Sequence, residues 1–239
     1  AYRQRLEDLK GRDLGVPCGA FDSCPSHDDV GGLWSFNEPV RTASRPRRSR
    51  VDADSRSLDL TGMRLGDPLG EAVASSLPRL PGLERLSLAG NRLSDKTLAP
   101  LLAGLISLQD LRSIDLSEND LDAKGAKALQ QLLAQRSCLL TEVHLRRSDV
   151  DDDECRALCE ALELNTASQL QVLDLADNLI GQKEEVSEMR EGYVTGGEAL
   201  GAMLAASSTL TVLNLSWNSI RGTSAKALAS ALKANATLT

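Results

Sequence analysis

Asp149, Asp151 and Asp153 alternate along the chain, and Glu160 falls in the twelfth place counted from the first, which is how a calcium-wrapping loop would begin. The sixth place, where the sharp turn needs glycine, is Glu154, and the run continues into a helical pattern, so calcium is not expected. The same carboxylates suit a helix start, where they face the positive end of the helix dipole. Cys155 and Cys159 are four apart and share a helix face, but a structural zinc site needs four ligands and these are only two. Cys18, Cys24 and His27 make an equally thin set. The sequence contains no phosphate-cradling glycine loop and no paired metal motif. No catalytic residue, metal ligand or cofactor is therefore expected. An odd count of five scattered cysteines fits reduced thiols in a cytosolic protein better than a disulfide framework.

The elements that must position these residues follow from a frame of apolar residues and asparagine that recurs six times. It reads Leu83, Leu86, Leu88, Asn91, Leu93; then Leu111, Ile114, Leu116, Asn119, Leu121; then Leu140, Val143, Leu145, Ser148, Val150. It continues as Leu170, Leu173, Leu175, Asn178, Ile180 and as Leu210, Leu213, Leu215, Asn218, Ile220. A weaker first copy runs Leu58, Leu60, Met63, Leu65, with Ser55 in the leading place. Frames start near 55, 83, 111, 140, 170 and 210, and a period in this range marks a solenoid. Within each frame apolar residues alternate with polar ones, as in Ser113-Ile114-Asp115-Leu116-Ser117, which predicts a short strand. Leu98, Leu101, Leu102 and Leu105 show the amphipathic helix that follows, and Leu129, Leu132, Leu133 repeat it. Alternating strand and helix makes the strands parallel, with helices on the other side. The asparagine amide both donates and accepts, so Asn91, Asn119, Asn178 and Asn218 are expected to stack as a ladder, with Ser148 forcing a locally different turn.

This pattern resembles the ribonuclease-inhibitor-like class of leucine-rich repeats over residues 55–239. The resemblance implies an α/β, right-handed leucine-rich repeat solenoid, a horseshoe with parallel strands on the concave face and helices on the convex face. Its relatives include ribonuclease inhibitor, the sensor halves of nucleotide-binding immune receptors, Ran GTPase-activating protein and tropomodulin. Leu213-Asn-Leu-Ser-Trp-Asn-Ser-Ile220 is also similar to repeats of ciliary and protist members. The Ran branch would imply a catalytic arginine on a loop and an acidic tail; no such tail is seen, and neither Arg146, Arg147 nor Arg190 aligns with that arginine.

Two columns of exposed side chains would carry binding. The central strand position reads Asp59, Ser87, Asp115, His144, Asp174 and Asn214. Strands stand about 4.8 Å apart, so His144 lies between Asp115 and Asp174, an arrangement that could serve acid/base or metal chemistry. No serine adjoins His144 in that row, which disfavours a nucleophile relay; a cross-strand polar ladder is the expectation. The second column reads Gly62, Gly90, Glu118, Arg147, Asp177 and Trp217, with Arg146 beside Arg147. Tryptophan and arginine are enriched among binding hot spots, and Trp217 has no core to fill, so partner contact is expected there. The candidate partner-binding set is therefore Trp217, Arg146, Arg147, His144, Asp115, Asp174, Glu118 and Asp177.

Two stretches break the period. Residues 1–54 are read as an irregular extension and cap, with Trp34 and Phe36 covering the first repeat and Arg41, Arg45, Arg47, Arg48 and Arg50 forming a basic linker. Ser44 and Ser49 within it are candidate phosphorylation sites. The fifth repeat is about twelve residues too long near Gln182–Tyr193. There Val186, Met189 and Tyr193 could share a helix face, and with Arg190 they form a candidate rim for binding. Because the chain lacks an initiating methionine and Leu238 falls where a seventh frame would begin, the array is expected to continue.

Net charge is −7, and all of the excess falls after residue 54, with 18 basic and 25 acidic residues there. Nucleic acid is therefore not an expected partner of the solenoid, which lacks a positive face. No transmembrane stretch or secretory signal is visible, so no membrane is expected, nor a small-molecule substrate. The expectation is a noncatalytic, cytoplasmic protein-interaction scaffold, cytoskeletal or ciliary by resemblance, binding an unidentified protein through its concave face and inserted rim. A small-GTPase regulator and the sensor segment of a nucleotide-binding immune receptor are the alternatives.

Overall fold

The computed structural model describes residues 50–51, 56–185 and 191–239, all within one compact unit, Ser44–Thr239. Six three-residue strands run parallel and in sequence order: β2 (Ser57–Asp59), β3 (Arg85–Ser87), β4 (Ser113–Asp115), β5 (Glu142–His144), β6 (Val172–Asp174) and β7 (Val212–Asn214). The register is one residue per repeat with no slip: Leu58, Leu86, Ile114, Val143, Leu173 and Leu213 form one row, and Asp115, His144 and Asp174 another. A seventh strand, β1 (Arg50–Val51), pairs antiparallel with β2 and covers the first edge. Arg50, read as part of the basic linker, stands in β1; Trp34 and Phe36 lie outside the described residues.

Each of the six parallel strands is followed by a helix: α1 (Gly66–Ser76), α2 (Asp95–Leu105), α3 (Ala123–Leu133), α4 (Asp152–Leu164), α5 (Gly196–Ala206) and α6 (Gly222–Ala234). The core lies between the two layers. Leu98, Leu101, Leu102 and Leu105 of α2 are fully enclosed, as are Leu88, Ile114, Leu116, Val143 and Leu145 beneath the strands. Burying such side chains contributes about 1.5–3 kcal/mol each before chain entropy is set against it. Cys155 and Cys159 are part of this core as free thiols, and Cys155 is held well above the usual thiol range by its hydrogen bond with Cys159 and by burial.

The turn after each strand is fixed by the asparagine ladder. Asn178 donates to the carbonyls of Leu145 (2.7 Å) and Leu175 (3.0 Å) and accepts from the N–H groups of Ser148 and Val150. Asn119 does the same for Leu88, Leu116 and Leu93. At Ser148 the hydroxyl donates to Leu116 O, but no side-chain oxygen replaces the asparagine acceptor; the backbone carbonyl of Ser148 accepts from Leu121 N–H instead. A second ladder, not evident in the sequence, ties the helix ends: Asn165 donates to Leu133 O and Gln135 O, and Asn235 to Leu204 O and Ser207 O.

Candidate functional site

In every repeat the position just before the ladder residue lies in the left-handed region. Gly62, Gly90, Glu118, Arg147, Asp177 and Trp217 have φ of 68°, 67°, 57°, 53°, 62° and 60°. Glycine takes this conformation freely, whereas a side chain there costs about 1–2 kcal/mol. The first two repeats use glycine; the last four carry a glutamate, an arginine, an aspartate and a tryptophan. This second column therefore sits in the turns at the strand ends, beyond the three residues of each strand.

Its members interact in sequence along the stack. Arg147 Nε donates to Asp177 Oδ2 at 2.6 Å, and Arg147 Nη1 stands 4.0 Å from Glu118 Oε1. Arg146 Nη2 adds a longer contact to Asp177, 3.9 Å. These groups are largely exposed, so each pair contributes at most about 1 kcal/mol to stability. Trp217, next in the column, is 81% exposed, the largest such value among the exposed large apolar side chains of the described residues.

The strand column has a different role. Asp115 Oδ1 accepts from Ser117 N–H, Asp174 Oδ1 from Ala176 N–H, Asp59 Oδ1 from Thr61 N–H and Asn214 Oδ1 from Ser216 N–H. Each short side chain thus folds onto the turn of its own repeat. His144 is half-buried between Asp115 and Asp174, and no ion pair joins it to either among the described residues. The aspartates and asparagine of the row support the turns; no cluster of three or more metal-binding side chains occurs among the described residues.

The insertion is anchored on both sides. Lys183 Nζ lies 2.6 Å from Asp151 Oδ2 and also contacts Asp153, while its N–H donates to the buried Asp152. Glu184, only 5% exposed, accepts from Thr223 N–H, Thr223 Oγ1 and Ser224 Oγ at the start of α6. Those bonds outweigh the opposing effect of burial and hold its carboxyl below the usual glutamate range. Glu185 pairs with Arg221 at 3.5 Å. Tyr193 lies over the Arg156 guanidinium, 5.5 Å from the ring centre, and its hydroxyl reaches Asp153. Val186, Met189 and Arg190 lie outside the described residues, as do Ser44 and Ser49.

Asp151 caps α4 in a reciprocal box with Glu154. Burial works to raise the Asp151 carboxyl, but hydrogen bonds from Glu154 and Lys183 prevail and take it down to about 2. Glu154 is pushed up to about 7, first by burial and then by the Asp151 carboxylate. The acidic run that superficially matched a calcium loop is thus a helix start locked to a lysine.

A family model for the leucine-rich repeat matches residues 107–129 and 206–229. The ribonuclease inhibitor of Sus scrofa is 27% identical over 168 residues, 63% of this chain and 36% of that protein. The repeats are leucine-rich repeats, and the chain is similar to ribonuclease-inhibitor-like proteins. NLRC5 of Mus musculus is 32% identical over 120 residues, half of this chain and 6% of that protein. The Tonsoku-like protein of Bos taurus is 36% identical over 104 residues, 42% of this chain and 7% of that protein. The chain thus spans about a third of the inhibitor and less than a tenth of the two longer relatives. Among the described residues no helix is long and apolar enough to cross a membrane.

Proposed function

We propose that this leucine-rich repeat protein is a noncatalytic interaction module whose partner is a protein, held along the turn column Glu118, Arg147, Asp177 and Trp217. The observation that carries this reading is the strain itself: four successive repeats hold a large side chain at a left-handed position where glycine would be less costly. Stored backbone strain of this kind clusters at binding sites, and an exposed tryptophan sharing a column with an arginine has the composition of a hot spot. Arg146, His144, Asp115 and Asp174 flank the column and complete the surface, although one oxygen of each aspartate is engaged by its own turn. Tyr193, held over Arg156, marks the adjoining rim. The reading places the protein in the cytoplasm, where the thiols of Cys155 and Cys159 stay reduced.

The test is affinity capture from native lysate with the chain and with an Arg147→Glu/Trp217→Ala variant of matched circular dichroism. Partners lost specifically in the variant support the turn column as the interface. An unchanged partner set sinks it. No specific observation favours a GTPase regulator, because Arg146 and Arg147 both face Asp177 and an activating arginine must be free to reach a phosphate. Unchanged GTP hydrolysis across a panel of small GTPases would dispose of that alternative.

A further inference from the structure

Immediately after the ladder residue, the first four repeats carry Arg64, Arg92, Asp120 and Asp149, all exposed. Arg64, Arg92 and Asp149 also have left-handed backbones, with φ of 54°, 55° and 56°. The strip is therefore bipolar, basic over two repeats and acidic over the next two. Two adjoining hollows run along it. One of about 430 Å³ lies over Gly62, Ala89 and Gly90 between Arg64 and Arg92. The other, about 460 Å³, is bounded by Arg92, Glu118, Asp120, Arg147 and Asp149, so Arg92 and Glu118 are common to both.

The first hollow is open because two of the three residues in its floor, Gly62 and Gly90, are glycines. A Cβ at Gly90 would approach Gly62 Cα to 3.7 Å and Glu118 Oε2 to 3.6 Å, filling the space that later repeats fill with Glu118 and Arg147. The arginines beside it, like the exposed Arg79, Arg85, Arg112 and Arg136, differ from five others on the surface. Arg56, Arg146, Arg147, Arg156 and Arg221 each face a carboxylate within 4.0 Å. Among the described residues no ion pair involves Arg64, Arg92 or Asp149.

We propose that this turn edge seats a charge-blocked segment of the protein partner, with two acidic side chains against Arg64 and Arg92 and two basic ones against Asp120 and Asp149. The inference rests on the reading of the chain as a protein-binding module. A guanidinium presents a fork that fits a carboxylate with two parallel hydrogen bonds. Glu118 stands in both hollows and repels a polyanion, which favours an acidic peptide over nucleic acid at this edge. Four repeats at about 4.8 Å spacing span roughly 15 Å, within reach of a five-residue segment whose backbone turns so that its long glutamate and lysine side chains face one side. The partner segment is thus acid, acid, spacer, base, base.

The probe is a fluorescein-labelled peptide with two glutamates, a glycine and two lysines, titrated with the full chain and read by anisotropy at low ionic strength. Controls are a peptide of the same composition with alternating charges, an all-glutamate peptide and an all-lysine peptide. The block peptide is expected to bind about fivefold more tightly than the alternating one, as four weak exposed pairs acting together allow. Arg64→Glu/Arg92→Glu, with the same backbone demand and a checked circular dichroism spectrum, is expected to lose the block peptide and prefer the all-lysine one. Arg136→Glu, an exposed charge reversal away from the strip, is expected to leave the preference unchanged. Equal binding of block and alternating peptides, or tightest binding of the all-glutamate peptide, overturns the proposal. Block-peptide selectivity together with an unchanged partner set in the Arg147→Glu/Trp217→Ala capture would remove the turn column and keep the strip. The opposite pair of results removes the strip alone.

Discussion

Trp217 has a backbone φ of 60° and leaves 81% of its surface in solvent, so it gains little from packing while its backbone is strained. Replacing it with glycine relieves the left-handed penalty and forfeits little contact; the extra flexibility of glycine in the unfolded chain offsets part of the gain. Trp217→Gly is therefore expected to raise unfolding free energy by up to about 1 kcal/mol while weakening partner capture, measured by urea denaturation beside the pull-down. A destabilised variant would mean that the ring packs in solution after all. The ladder asparagines behave oppositely. Asn178 satisfies two carbonyls and two N–H groups in a buried turn, so Asn178→Ala should cost about 3 kcal/mol or more. Asn218 is only half-buried, and water can take over its bonds; Asn218→Ala should cost about 1 kcal/mol. The two changes, compared by the same denaturation, separate the value of the amide from its burial. The ladder was legible in the sequence because asparagine recurs at one place in the frame. The left-handed φ beside it was not, because glycine marks that position in only two of six repeats and the other four carry residues that ordinarily avoid it.

At the scale of elements, the helix starts are capped by the repeat before them. Asp95 of α2 accepts from Lys124 N–H and Gly125 N–H of α3, and Asp152 of α4 accepts from Gly196 N–H of α5. The next cap cannot come from α5, whose first residues are glycines pressed against Ser224: a Cβ at Gly197 would come within 2.4 Å of Ser224 Cβ. The insertion supplies it through Glu184. Glu184→Ala should cost about 2 kcal/mol at neutral pH, with faster amide exchange concentrated in α6. The folded carboxyl of Glu184 lies below its ordinary value of 4.5, so its contribution is complete above that value and fades as pH falls through the folded one. Urea midpoints of wild type and variant should therefore be well separated at pH 7 and converge in acid; a gap independent of pH would assign the effect to packing alone. Excess length made the insertion visible in the sequence, and its position in the loop before a helix followed from the frame. Its function as a clip was not visible, because Glu184 meets Thr223 across 39 residues with no periodicity to announce the pairing. The acidic run at Asp151–Asp153 was legible as a helix start for the opposite reason: a cap acts on its own next turn.

For the whole molecule, the strand register and the helix sequence make every repeat contact only its neighbours, so stability is a sum of repeat and interface contributions. That architecture was readable from spacing alone, because one apolar frame serves six copies and each copy specifies the next. Which surface binds was not readable, since exposed positions are free of the frame. The one-dimensional order makes an unusual prediction for a core change. Leu145 is fully buried in the fourth repeat, and Leu145→Ala removes packing worth about 2–5 kcal/mol. In a globule such a loss lowers a single cooperative transition. Here it weakens the junctions of β5 with β4 and β6, so the repeats on either side should uncouple and unfold in two steps. Leu215, in the last repeat, is only half-buried, and Leu215→Ala should merely fray β7 and α6 while the rest keeps one transition. Hydrogen exchange along a urea series distinguishes these outcomes peptide by peptide. If Leu145→Ala instead lowers protection uniformly from β2 to α6 with an unchanged denaturant slope, the stack behaves as one cooperative body and the nearest-neighbour account fails.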